Sequence, residues 1–370
     1  MDPAQILLYE YFDASKCRTD NRSVNWEDPM RVMTYGIDLA KEVFQICGVS
    51  ECGQVKIERK LSSRKKFSEY FANHEVCNIY FETCGGSNYW QRELVRMGHK
   101  VRQIPVKYVK PFCGRQKNDR NDAQAILAAS TSPNTKFSSG KEIWQQDLQA
   151  VLRIREALIR DYVATGNQIR GLLLEYGVSI AKGHSSLVKN IPLVLEDCEN
   201  QLTSVMREII GRRFEHYLSM KAQSKEYLNM LESLSRQNEV TSELKKLPGI
   251  GVVSATAFVS TVGRAKDFKN GRQLAAFLGL VPRQRSSGGK TKLLGITKTG
   301  DTYTRQVIIQ GMKSVLFAAV RKAGDRPPDH PDIKILEMLE RKGNNKCAVA
   351  LANRTVRKMW LEMLKLQEAS

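Results

Sequence analysis

The chain has 370 residues, which at roughly 150 residues per domain predicts two or three domains. Lys and Arg number 58 against 39 Asp and Glu, so the net charge is +19, spread through the chain rather than held in a tail. Such a surplus attracts a polyanion, either nucleic acid or an anionic membrane surface, and a hydrophobic share of 42% excludes wholesale disorder.

No apolar run approaches the roughly 18 residues of a transmembrane helix. The N-terminus lacks the basic region and small-residue cleavage site of a signal peptide. The eight Cys are scattered without a C-x-x-C pair, and the five His keep no ligand spacing with them. That argues against a disulfide framework and a structural zinc site. The expectation is a soluble, cytoplasmic protein with reduced thiols and no membrane partner.

Residues 1–30 read as a loosely attached N-terminal arm, polar and turn-prone around Arg18. Order begins at Val32. The runs VMTYGIDLA, VFQICGVS and QVKIERKL predict an antiparallel meander. RKKFSEYFANH has a helical pattern, and CNIYFET is a further strand, broken by Gly85-Gly86. SNYWQRELVRMG predicts a short amphipathic helix closed by Gly98, and KVRQIPVKYV another strand. Residues 31–130 are therefore expected to form an α/β domain, a mixed sheet with helices on its faces.

From Lys141 the texture changes. Trp144, Leu148, Val151, Leu158, Tyr162, Ile169 and Leu172 fall on alternating steps of four and three, with polar Arg155 and Thr165 in the same seam. This predicts a long helix with a coiled-coil-like stripe. A second helical stretch from about Pro192 to Gln237, joined through the polar turn Lys182-Gly-His-Ser, completes an antiparallel hairpin over a linker at 131–240. The stripe suits packing within one chain or dimerisation. The remainder, 241–370, is expected to be mostly helical, ending in helices at 301–323 and 344–366 around a stiff loop, Arg326-Pro-Pro-Asp-His-Pro.

Three motifs carry chemistry. Asp38 ends the first strand and Glu82 a later one, while Asp119 and Asp122 stand in Lys117-Asn-Asp-Arg-Asn-Asp-Ala-Gln-Ala-Ile, where i,i+3 spacing puts both on one helix face. Carboxylates gathered at strand ends repel, and a divalent cation relieves the repulsion. Hard oxygen ligands without His or Cys select Mg²⁺ or Mn²⁺, and two ions about 4 Å apart stabilise both oxygens of a phosphodiester displacement. Each acid alone also fits a solvated side chain or, for Asp119, a helix cap. The second motif, Leu247-Pro-Gly-Ile-Gly-Val-Val-Ser-Ala, has the helix-hairpin-helix pattern, with Gly249 and Gly251 in the turn and amides free to hold a DNA phosphate. A plain turn packing two core helices is the alternative. The third, Gly279-Leu-Val-Pro-Arg-Gln-Arg-Ser-Ser-Gly-Gly-Lys-Thr-Lys, is a flexible phosphate-binding loop with Arg283, Arg285, Lys290 and Lys292 around two serines. From its chemistry alone the loop is a linker first and a nucleophile second.

In this order the motifs resemble the DEDD transposases of bacterial insertion sequences, the family that includes the Piv-type DNA invertases. Y-G-I-D-L-A-K, F-E-T-C-G-G, K-N-D-R-N-D-A-Q-A-I and G-L-V-P-R-Q-R-S-S-G-G-K carry the resemblance, from about Val32 to the C-terminus. It implies a RuvC-like, RNase H-fold domain at 31–130 holding Mg²⁺ on Asp38, Glu82, Asp119 and Asp122. It implies a helical linker that dimerises through a coiled coil, with a tetramer in the synaptic complex. It further implies a C-terminal serine transposase domain whose serine bonds covalently to DNA. The serine before the glycine pair is Ser287, or Ser286 if the register is off by one. Donor and target DNA, guided by a non-coding RNA, are the implied partners. A Holliday-junction-type nuclease using the acids alone, and a non-catalytic nucleic-acid-binding protein, are the competing readings.

Overall fold

The computed structural model describes residues 34–50, 54–114, 118–322 and 331–369. The expected arm at 1–30 and most of the proline loop that starts at Arg326 lie outside them. The chain divides after Glu142 into two compact units.

The first unit is built on strands β1 (Thr34–Leu39), β2 (Phe44–Val49), β3 (Val55–Leu61), β4 (Asn78–Glu82) and β5 (Lys100–Ile104). Their order is β3-β2-β1-β4-β5, with β1, β2 and β3 antiparallel and β1, β4 and β5 parallel. Successive strand residues face opposite sides of a sheet, and the sequence uses both sides. Tyr35, Ile37, Phe44, Ile46, Ile79 and Phe81 form one apolar face. Helices α1 (Arg64–Ala72) and α2 (Ser87–Arg96) cover it with Phe67, Phe71, Trp90 and Leu94. Phe67 stacks on Phe44 with centroids 4.3 Å apart and meets the Trp90 edge at 4.6 Å. The expected strand at 100–109 stops at Ile104. Pro105 cannot donate to a ladder, and Val106–Val109 turns into a short helix, α3.

Helix α4 (Asp119–Thr131) covers the other face, where Ala123 and Leu127 pack on Cys47 and Val49. Asn118 caps it by accepting from Arg120 N at 3.1 Å. Its run Ala123–Ala129 is wholly buried, and small residues let it lie close. Closest of all is Gly36, where a Cβ would stand 2.6 Å from both Ala123 O and Leu127 Cγ.

In the second unit, α5 (Ile143–Leu174) and α7 (Ser204–Arg236) form the expected hairpin. Ile169 and Leu173 pack with Ile210, Phe214 and Tyr217, and Leu148, Val151 and Leu152 with Leu231. Much of the stripe is thus covered within the chain. Thr165 in the seam accepts from Arg213 Nη2 at 3.2 Å. The second stretch is two helices, not one: α6 (His184–Glu196) contains Pro192, and α7 begins afresh after Thr203. Arg207 donates to the carbonyls of Leu195 at 2.7 Å and Asp197 at 2.8 Å, satisfying the end of α6.

Helices α8 (Glu239–Leu244), α9 (Val252–Val262), α10 (Gly271–Phe277), α11 (Thr302–Arg321), α12 (Pro331–Lys342) and α13 (Asn344–Ala369) make the remaining core, around Phe258, Leu274, Ile308, Met312, Val356 and Met359. Gln145 of α5 donates to Gly263 O at 3.1 Å, and Leu148 shares a cluster with Ala257 of α9, so the long helix is rooted in this core. The sequence pattern missed α12. The serine loop is not flexible coil but a hairpin of β6 (Pro282–Ser287) and β7 (Lys290–Ile296). Gly288 and Gly289, at φ 55° and 75°, supply the two left-handed positions that a tight hairpin turn needs.

The approach at Gly36 gives a test. Gly36→Val must push α4 from β1, at a cost of about 1–3 kcal/mol. Denaturant unfolding should report that loss, and a neutral substitution would show that α4 is not held by this contact.

Candidate active site

The acids follow from the fold. Asp38 and Gly36 point to the same sheet face, as do Glu82 and Tyr80 on β4, and that face carries α4. In the parallel register Ile37 lies opposite Phe81, so Asp38 and Glu82 follow side by side at the strand ends. The chain after Glu82 is fixed by Thr83 N to Ile104 O at 2.9 Å and by Ser87 Oγ to Cys84 O at 2.9 Å. Asp122 occupies the first turn of α4, where the helix dipole favours negative charge.

Three of the four acids share one electrostatic neighbourhood. Burial pushes the Glu82 carboxyl above the usual carboxylate range, and the charges of Asp38 and Asp122 push it further. Two thiols stand beside them. Burial raises Cys84, with Glu82 and Asp38 adding to it, and burial raises Cys113, with Asp122, Glu82 and Asp38 adding. Asp119 is different. It is 61% exposed and faces Lys60 of β3, Oδ2 to Nζ at 3.8 Å. An exposed pair of this kind contributes about 0–1 kcal/mol. The same turn is tied to β3 at Glu58, which pairs with Arg120 at 2.6 Å and accepts from Gln124 Nε2 at 2.7 Å. The i,i+3 spacing therefore splits the two aspartates between the β3 edge and the strand ends.

Among the described residues no group of three or more His, Cys, Asp and Glu side chains is gathered closely enough to hold a metal ion. The donor chemistry nonetheless fits a hard cation: Asp38, Glu82 and Asp122 offer carboxylate oxygens whose mutual repulsion a divalent ion would offset.

On the serine hairpin, cross-strand partners share a face. Arg285 pairs with Lys292 and Ser287 with Lys290, so Ser287 lies on a cationic face. Gln284, Ser286, Thr291 and Leu293 form the other face. There Ser286 Oγ accepts from Gln284 Nε2 at 2.7 Å and donates to Thr291 Oγ1 at 3.3 Å. Arg283 falls at a register shift. Every residue from Pro282 to Leu293 is exposed. The hairpin root is held by Arg305, a buried side chain absent from the sequence reading, which donates to Leu278 O at 3.2 Å and Thr299 O at 2.7 Å.

The glycines of the Leu247–Gly251 turn have separate fates. Gly249, at φ 76°, packs on α11, where a Cβ would meet Gly311 O at 2.6 Å. Gly251 caps α9 and is exposed. Gly36 was the signal that the sequence reading passed over, since a glycine within a strand marks a close backbone approach.

Residues 35–178 match a DEDD transposase domain of the IS110 type, and residues 241–325 match the transposase IS116/IS110/IS902 family. The chain is 37% identical over 325 residues to the transposase for insertion sequence element IS1111A of Coxiella burnetii, covering 88% of each. The chain belongs to the IS110/IS116 family of insertion-sequence transposases. A probable family 20 transposase of Pseudomonas aeruginosa is 34% identical over 90% of this chain and 96% of its own length. The transposase for insertion sequence element IS1328 of Yersinia enterocolitica is 31% identical over 89% and 96%. The two matched segments of this transposase contain the acids and the hairpin respectively. No helix among the described residues is long and apolar enough to cross a membrane.

The raised Glu82 carboxyl has a pH signature. It holds its proton more tightly folded than unfolded, so folding is favoured at low pH. Stability is then lost as pH rises from the ordinary carboxylate range through the raised folded value. In chelator, wild type should lose ground against Glu82→Gln over that interval in thermal melts. A constant difference between the two would show that the Glu82 carboxyl is not raised.

Proposed function

We propose that this transposase cuts and rejoins DNA by phosphodiester chemistry at Asp38, Glu82 and Asp122, with Asp119 at the rim and Ser287 supplying the attacking hydroxyl. The observation that carries the reading is the placing of two strand-end acids and a helix-start acid on one sheet face. A β3-β2-β1-β4-β5 sheet with acids at its central strand ends also fits a RuvC-like RNase H fold. Mg²⁺ or Mn²⁺ on these carboxylates would supply positive charge against the scissile phosphate. The residues themselves hold the cluster on the face of α4, with Glu58, Arg120 and Lys60 bracing its first turn.

Ser287 is favoured over Ser286 because it shares a face with Arg285, Lys290 and Lys292, which suit the charge that develops on a phosphoryl oxygen. Its Oγ would bond to phosphorus as one DNA oxygen leaves. The bond energy is kept for rejoining, so no high-energy cofactor is needed. A serine hydroxyl needs a base. Pro282–Ile296 contains no His, Asp or Glu, so the proton goes to a group outside the hairpin.

The partners in this reading are donor and target DNA and a guide non-coding RNA, all suited to a charge of +19. Exposed Gly251, at the start of α9, leaves amides for a helix-hairpin-helix phosphate contact. Assembly as a dimer, and a tetramer on DNA, is supported by apolar side chains left exposed on α5 and α7: Ile154 at 44%, Val163 at 47% and Met230 at 49%.

Two experiments test this. Ser287→Ala should remove strand exchange and any protein–DNA adduct while binding persists, and Asp122→Asn should lose strand exchange at any Mg²⁺ concentration. An adduct mapped to Ser286 would shift the nucleophile by one. DNA cleavage without an adduct, persisting in a variant that carries both Ser286→Ala and Ser287→Ala, would leave the acids as the whole catalytic apparatus, a hydrolytic nuclease site. For assembly, Ile154→Asp with Val163→Asp should yield a folded protein of lower mass in sedimentation. An unchanged mass would place any interface elsewhere.

A further inference from the structure

The second unit carries another cationic feature, separate from the hairpin. A cavity of about 630 Å³ lies where α10 meets α13, lined by Arg272, Arg354, Arg357, Lys358, Trp360 and Leu361. Four cations and no carboxylate line it. On α13 the residues Arg354, Arg357, Lys358 and Leu361 keep i, i+3, i+4 and i+7 spacing, so they share one helix face. All four basic side chains are exposed, and among the described residues none of them stands in an ion pair. Like charges at this spacing repel, and a bound polyanion relieves them.

The pocket is built rather than incidental. Gly271 lets α10 approach α13: a Cβ there would stand 3.1 Å from both Cα and Cβ of Arg357. Trp360 is fixed by its Nε1, which donates to Ala265 O at 3.0 Å, and beside it Leu361 is 44% exposed. Cations next to an indole and an aliphatic side chain match a strand with both phosphates and apolar sugar and base faces better than a free inorganic anion.

Its position bears on the hairpin. The seven residues of α10 span roughly 10 Å, and its last residue leads through Gly279 into β6. Asn353, next to Arg354, donates Nδ2 to Leu280 O at 3.1 Å, just before β6. The pocket and the hairpin root are thus fastened to the same two helices.

We propose that this pocket seats the sugar–phosphate backbone of a nucleic-acid strand bound by the second unit. It rests on the reading of this chain as a nucleic-acid-processing transposase, and does not depend on which residues are catalytic.

The test is Arg357→Gln with Lys358→Gln in the full chain, with thermal melts to verify folding. Binding of a labelled DNA duplex and of a labelled single-stranded RNA is followed across a salt series. Lys189→Gln with Lys225→Gln, on α6 and α7, removes the same charge elsewhere. Each lost phosphate contact should lower the log–log salt slope by about 0.9 on duplex and about 0.7 on single strand. The pocket variant should therefore lose one to two such contacts and about tenfold or more in affinity at low salt, while the control changes little. A loss on one polymer alone supports the pocket and assigns its strand. Slopes equal to wild type, or falling no further than the control, overturn the proposal. So does competition by inorganic phosphate at the pocket with no change in polymer slope, which would leave a small-anion site. Arg285→Gln with Lys292→Gln separates the readings: if only that variant keeps wild-type binding, the hairpin contact fails and the pocket stands.

Discussion

The distance at which α4 lies from β1 decides where Asp122 stands relative to the strand-end acids. It is fixed by a missing side chain at Gly36, with Ala123 and Leu127 filling the space where a Cβ would be. Move the helix outward by a side chain and Asp122 leaves the ends of β1 and β4. The apolar faces would still find partners, because α1 and α2 cover the opposite side independently. The fold could thus survive with its acids apart. The acid cluster is the more demanding feature, since burial raises the Glu82 carboxyl and the charges of Asp38 and Asp122 raise it further. What holds them there is packing beneath and the Glu58–Arg120 pair beside them, not attraction among themselves.

The serine hairpin solves an opposite problem. The nucleophile proposed above must be reachable by a polymer substrate, yet an exposed two-stranded ribbon is marginal by itself. Here the strands stay exposed and definition comes from the root. Arg305 directs its guanidinium to carbonyls on both sides of the hairpin, and the bond to Leu278 O is buried, where that oxygen would otherwise lack a partner. The turn and the register then assign faces. One serine is placed among cations and the other is held by Gln284 and Thr291.

The strands of the first unit and both strand-end acids were legible in the sequence, because period-two runs ending in Asp38 and Glu82 leave little freedom in where a sheet stops. The long helix was legible from its stripe. Other features depend on contacts far along the chain. Asp119 and Asp122 share a helix face by spacing, yet Asp119 pairs with Lys60 on a distant strand while Asp122 neighbours Glu82. Pro192 looked like a helix start, but it lies inside α6, which runs from His184 to Glu196 and whose end Arg207 ties. The Ser-Ser-Gly-Gly segment read as coil because glycines and serines fit both coil and a tight hairpin. Only pairing with Lys290–Ile296 decides between them.

A protein of charge +19 that concentrates carboxylates at one place must reconcile two fields. Long-range attraction brings a polyanion in, and the acid cluster repels it at the last step. The nearby cations do not resolve this, for Lys60 and Arg120 are engaged by Asp119 and Glu58 on the β3 side. Burial first, and then the charges of Asp38 and Asp122, make the Glu82 carboxyl hold its proton more tightly. On the reading proposed above, a bound cation would offset the charge of these acids before a phosphate meets them. The hairpin and the α10–α13 pocket carry the opposite arrangement, cations without acids, and need no such preparation. Strand capture and strand chemistry are thereby separable. On the reading proposed above, the basic surfaces would hold nucleic acid whatever the state of the carboxylates, and Asp38, Glu82 and Asp122 would carry the reaction.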